Sequence, residues 1–93
     1  MFPLDPAAIL KNVGYRISEM RRERMMTQDV LATRADVTLK YIQRVESGSE
    51  NLTLLSLVRF ANILEKDLSE FLLPAVIVVR KPGRPKGKKI SFP

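Results

Sequence analysis

Apolar residues recur early in the chain at Ile9, Val13, Ile17 and Met20, at intervals of four, four and three. That is the spacing of one face of an α-helix. Asp5 before Pro6 supplies a start, a capping residue followed by proline at the first helical position. The pattern therefore predicts a helix over 6–24. Gly14 weakens its middle, which leaves open whether the first two turns form a separate segment. Thr27 stands where an N-cap is wanted for a short helix over 28–34 that buries Val30, Leu31 and Ala32. Ala35-Asp36-Val37 leaves room only for a tight turn. Thr38 then caps a helix over 39–46 with Ile42 and Val45 inward, and Gly48 follows its end, where a left-handed residue is commonly required. Thr53 caps a helix over 54–64 with Leu57, Phe60, Ala61 and Leu64 on the core side. Asp67 caps a short fifth helix, 68–72, carrying Leu68, Phe71 and Leu72.

Pro74 stops the helical pattern. Val76-Ile77-Val78-Val79 is a β-branched run, short and without a partner strand in its own chain. Pro82, Gly83, Pro85 and Gly87 then alternate with lysine and arginine, a composition expected to be unstructured alone. The fold class expected is all-α: a five-helix body at 1–73, a short β-prone segment at 74–79 and a basic disordered tail at 80–93.

Composition narrows the chemistry. The chain has 93 residues, of which 45% are apolar, enough for one modest core. It has no cysteine and no histidine, which removes thiol chemistry, the usual metal ligands and the usual general base near neutral pH. The acids are scattered singly, and no glycine-rich phosphate loop follows a strand. No catalytic residue, metal site or cofactor is expected, and so no enzyme. No apolar run approaches the roughly 18 residues of a membrane span. The start, Met1-Phe2-Pro3-Leu4-Asp5, lacks the basic and apolar regions of a signal peptide. A soluble cytoplasmic protein without membrane partners, and associated with the nucleoid, is the expectation.

Charge is unevenly placed. Six of the sixteen basic residues (Arg80, Lys81, Arg84, Lys86, Lys88 and Lys89) fall in one acid-free stretch. The other ten are matched by ten acids, so residues 1–79 are formally neutral and the net +6 belongs to the tail. On charge alone the tail reads equally as an arm for a polyanion or as a solubilising linker.

Two short helices joined by a three-residue turn within a bundle point to a helix-turn-helix. The residues sharpen this. Ile17, Met20, Arg21, Arg24, Met26, Thr27, Gln28, Leu31, Ala32, Ala35, Val37, Ile42, Val45, Glu46 and Gly48, in that register, resemble the phage repressor and Cro family, also called the xenobiotic-response-element (XRE) family. The resemblance runs from about Gly14 to Leu72. It implies a lambda-repressor-like domain that binds double-stranded DNA.

An eight-residue helix spans about 12 Å, which matches the width of the major groove. With Ile42 and Val45 inward, Leu39, Lys40, Gln43 and Arg44 face solvent or DNA and are the base-reading candidates. Lys40 and Arg44 can both donate to guanine O6 and N7. Leu39 either packs on a thymine methyl or adds a core contact. The resemblance places phosphate contacts at Gln28, Thr38, Tyr41, Ser47 and Asn51. For Thr38 capping alone is the other reading, for Tyr41 a packed ring, and for Ser47 and Asn51 ordinary loop polarity. The resemblance also implies a partly buried ion pair between Arg21 and Glu46, against the alternative of two solvated charges. The rest of Arg21-Arg22-Glu23-Arg24 reads as solvated helix surface. The chain departs from the family at Met25 and Asp36, where glycine is usual. Asp tolerates a left-handed backbone better than most residues, while Met25 implies a different junction between the first two helices.

Lys81-Pro82-Gly83-Arg84-Pro85-Lys86-Gly87-Lys88-Lys89 resembles an AT-hook, the Gly-Arg-Pro motif that lies in A·T-rich minor grooves. Gly83 clears the groove walls, Pro85 keeps the backbone extended, and Arg84 points along the cleft of enhanced negative potential. Lys81, Lys86, Lys88 and Lys89 would reach flanking phosphates. Family members commonly act as symmetric dimers on two half-sites. The 76–79 run is either a dimerisation strand or an extended segment lying on its own helices, and Leu72 and Leu73 would add to either. The expected function is a transcriptional regulator, a repressor or autoregulator, working as a homodimer on a palindromic operator. Two alternatives use the same helices: a Hip-type antitoxin with a toxin partner, and a controller of a restriction–modification system. A DNA-architectural role led by the tail is weaker, because the body carries a full reading motif.

Overall fold

The computed structural model describes residues 4–75. Helix α1 runs Pro6–Glu23, α2 Gln28–Ala35, α3 Leu39–Ser47 and α4 Leu54–Leu64, followed by a 3₁₀ helix at Leu68–Leu72. Each α-helix start has a side-chain cap. Asp5 accepts the Ala7 N–H, Thr27 that of Val30, Thr38 that of Tyr41 and Thr53 that of Ser56, all at 3.0–3.1 Å. These bonds satisfy N–H groups that have no carbonyl in their own helix. The fifth element differs from expectation. It is 3₁₀, and Asp67 makes no cap bond to the backbone, accepting instead from the Ser69 hydroxyl at 2.8 Å.

One core joins all five elements. Ile17 and Met20 of α1, Leu31 of α2, Ile42 and Val45 of α3, Phe60 and Leu64 of α4, and Phe71 are essentially inaccessible to water. Three positions assigned inward by periodicity lie further out. Ile9 and Leu68 are exposed because the first turn of α1 and the start of the 3₁₀ helix overhang the core, and Val30 because Leu31 and Ala32 take the inward side of α2. Leu72 is also exposed, leaving Phe71 as the anchor of the last element.

Gly14 does not divide α1, which is continuous through it. It is there for packing: a Cβ on Gly14 would lie 2.4 Å from the Val45 carbonyl oxygen and 2.7 Å from that of Glu46. The end of α3 therefore rests directly on the α1 backbone. Left-handed residues close three other turns. Met25, Asp36 and Glu65 have φ of 60°, 59° and 56°, so both positions where the resemblance expects glycine, Met25 and Asp36, are left-handed.

Two arginines expected or available as surface charges are structural ties. Arg24 donates to the Leu64 carbonyl at 3.2 Å and pairs with Glu65 at 3.3 Å, joining α1 to the end of α4. Arg24 is thus not merely solvated surface. Arg16 donates to the Glu70 carbonyl at 2.8 Å, holding the 3₁₀ helix to α1. Beyond it, the Asn12 side-chain amide donates to the Leu73 carbonyl at 2.8 Å and accepts the Ala75 N–H at 2.9 Å. Asn12 so treats 73–75 as a strand would, and Ala75 is buried. The expected β-prone run at 76–79 and the tail at 80–93 lie outside the described residues.

Candidate nucleic-acid interface

Helix α3 is built with two faces. Ile42 and Val45 hold it to the core, and Leu39, Lys40, Gln43 and Arg44 stand exposed on the other side. Its nine residues give a rod about 14 Å long. Thr38 opens it, and Gly48 closes it with φ of 82°, its N–H and that of Ser49 bonding back to Val45 and Arg44 carbonyls. A Cβ on Gly48 would sit 2.8 Å from the Cα of Lys11. The Lys40 and Gln43 side chains make no hydrogen bond or ion pair among the described residues. The Arg44 side chain makes one, from Nη2 to Glu50 Oε1 at 2.8 Å.

Below this face lies a buried polar knot. Arg21 Nε donates to Glu46 Oε2 at 2.7 Å and Nη2 to Oε1 at 3.0 Å, a bidentate pair. Arg21 Nη1 donates to the Met26 carbonyl at 2.8 Å. Gln28 Nε2 donates to Glu46 Oε1 at 3.0 Å. Each charge taken from water thus keeps charge-assisted bonds. The knot ties α1, the α1–α2 turn, α2 and α3 together at one point, fixing the tilt of α3.

The remaining phosphate candidates spread around the ends of α2 and α3. Thr38 is exposed with its hydroxyl oxygen engaged as a cap. Tyr41 is half-buried, its ring against the core and its hydroxyl 3.5 Å from Ser56 Oγ. Ser47 is exposed, donating to the Arg44 carbonyl and lying 2.9 Å from Ser49 Oγ. Asn51 is exposed on the α3–α4 loop. Gln28 is half-buried at the start of α2, with one amide hydrogen committed to Glu46. The tail candidates, Lys81, Gly83, Arg84, Pro85, Lys86, Lys88 and Lys89, lie outside the described residues.

The family model for helix-turn-helix proteins, HTH_3, matches residues 17–71, more than half of the chain. The chain is a member of the HTH_3 (XRE-type) family. HTH_3 proteins are DNA-binding transcription regulators, not enzymes, and this member has their fold. No curated protein matches its sequence. Solved structures do. The restriction–modification controller protein C.AhdI from Aeromonas hydrophila is 28% identical, with a TM-score of 0.65 over 69% of this chain and 97% of that one. A point mutant of the controller protein C.Esp1396I is 34% identical, with a TM-score of 0.63 over 70% and 91%. The hypothetical transcription factor NHTF from Neisseria, at 21% identity, shares the fold, with a TM-score of 0.69 over 82% and 87%. Among the described residues no helix of this HTH_3 protein is long and apolar enough to cross a membrane.

Sequence reasoning missed Glu50. A loop acid six residues after Arg44, across a helix end, falls outside the three- and four-residue spacings by which helical partners are found. The link exists because Gly48 reverses the chain and returns the loop alongside α3.

Proposed function

We propose that this HTH_3 protein is a sequence-specific transcriptional regulator, a repressor or autoregulator, that binds a palindromic operator as a homodimer. The observation that carries the reading is the exposed row Leu39, Lys40, Gln43 and Arg44 on a helix whose opposite face is locked into the core. Lys40 and Arg44 donate to guanine edges, Gln43 supplies an amide able to pair with adenine, and Leu39 packs on a thymine methyl. Thr38, Tyr41, Ser47, Asn51 and the free part of the Gln28 amide contact phosphates and fix the register. A helix N-terminus at Gln28 favours an anion through its free N–H groups.

Dimerisation is supported by Leu72 and Leu73, 65% and 50% exposed at the end of the described chain and leading into the 76–79 run. The basic tail lies in the minor groove beside each half-site, as its Gly-Arg-Pro sequence favours. A second reading, control of a restriction–modification system, is favoured by the likeness to two such controllers. The antitoxin alternative is distinguished by a toxin gene beside this one.

The test is selection from a randomised duplex library, run in parallel with the full chain and with a chain ending at Val79. A palindromic core recovered by both, with flanking A·T enrichment only for the full chain, is expected. The salt dependence of binding is expected to be shallower for the shorter chain, by a slope of up to about five if all six tail cations meet phosphates. A shorter chain that selects no sequence overturns operator reading by α3.

A further inference from the structure

Arg44 differs from its neighbours on the outward face of α3. Lys40 and Gln43 are without partners among the described residues, whereas Arg44 is held by Glu50 at 2.8 Å. The two ends of this bond are unequal: the Arg44 side chain is 57% exposed and that of Glu50 only 20%. The acid is the anchored member and the guanidinium the presented one. The loop that carries Glu50 is itself fixed at its root, where the Ser49 N–H bonds the Arg44 carbonyl at 2.9 Å.

The geometry points to Glu50 as a positioning residue that holds the Arg44 guanidinium for reading a guanine and keeps it off the phosphates. This rests on the operator reading proposed above. Arginine loses much rotamer freedom when it orders, so prior fixation lowers the cost of docking it. Glu50 occupies one of five guanidinium hydrogens, and the edge of guanine needs two. A guanine edge is neutral, so the Glu50 carboxylate opposes it far less than it opposes a phosphate. A phosphate reaching the same guanidinium meets the Glu50 carboxylate and is repelled. Glu50 therefore trades affinity for discrimination.

The experiment compares the full chain with its Arg44→Ala, Glu50→Ala, Glu50→Gln and doubly substituted Arg44→Ala/Glu50→Ala forms, by library selection and by titration of a random duplex. Thermal unfolding checks that each is folded. Arg44→Ala is expected to erase the preference at one position of each half-site. Glu50→Ala is expected to weaken that same preference roughly tenfold, while binding to random duplex tightens. Glu50→Gln, which keeps an acceptor oxygen without the charge, should tighten random binding with a smaller loss of preference, and it carries the test if Glu50→Ala unfolds. The double form should discriminate no worse than Arg44→Ala alone. Preference left intact in both Glu50 variants, with binding tighter to every sequence, overturns the proposal and leaves operator reading standing. Failure of the unsubstituted chain to select any sequence overturns both.

Discussion

The inward and outward faces of α3 are made of the same backbone and answer to different constraints. Inward, the helix end lies against Gly14, Ile42 and Val45 are sealed from water, and Glu46 shares its two oxygens among Arg21 and Gln28. No atom there can move without moving another. Outward, Leu39, Lys40, Gln43 and Arg44 are exposed, and a single bond, to Glu50, restrains one of them. Under the proposed function one helix separates two tasks: the inner face fixes where α3 points, and the outer face specifies what it meets.

If the separation holds, inward substitutions cost folding and outward ones cost recognition. Glu46→Ala should have the largest effect, about 3–5 kcal/mol of stability by urea unfolding, since it leaves a buried guanidinium without its partner. Gly14→Ala should cost about 3 kcal/mol, because the new methyl meets two backbone carbonyls, which cannot turn aside as a side chain would. If it were instead as stable as the native chain, α1 and α3 would not be in close contact. Lys40→Ala tests the other face. Its unfolding midpoint should stay within about 0.5 kcal/mol of native, while discrimination at one operator base falls by about 1–3 kcal/mol in competition binding. A drop in stability as large as the drop in discrimination would collapse the distinction between faces. The smallest effect belongs to neither face. Met25 is 90% exposed with φ of 60°, so Met25→Gly should raise stability by about 0.5–1 kcal/mol, relief of strain offset by the entropy of a freer unfolded chain.

The helix ends were readable because they are written locally. Asp5, Thr27, Thr38 and Thr53 each bond an N–H two or three residues ahead, and Gly48 needs only its own backbone to close α3. What depended on distant neighbours was not readable in the same way. Gly14 looks like a weak point of a helix until the carbonyls of Val45 and Glu46 are found above it. Ile9 has the right period and the wrong place, since periodicity fixes a face but not how far along it the core extends. Arg24 is one of four consecutive charged residues, and nothing in that run reveals that it reaches the end of α4. The Arg21–Glu46 pair follows from family resemblance, whereas nothing in the sequence joins Gln28 to the same carboxylate. The outward residues of α3 followed from the inward ones by geometry, and Glu50 had no such route.

The Asn12 amide makes a mooring of the chain's exit. By gripping Leu73 and Ala75 it fixes the point from which everything beyond departs, and the stretch from Ala75 to Arg80 reaches at most about 18 Å when extended. For a tail that binds DNA as proposed, docking of the body confines the tail's cations to a small volume beside the duplex, at an effective concentration in the range of about 1 mM or above. A weak arm is then sufficient, because the tether does work that intrinsic affinity would otherwise have to do. Loosening the mooring would lengthen the leash and dilute the arm without touching a single residue that meets DNA.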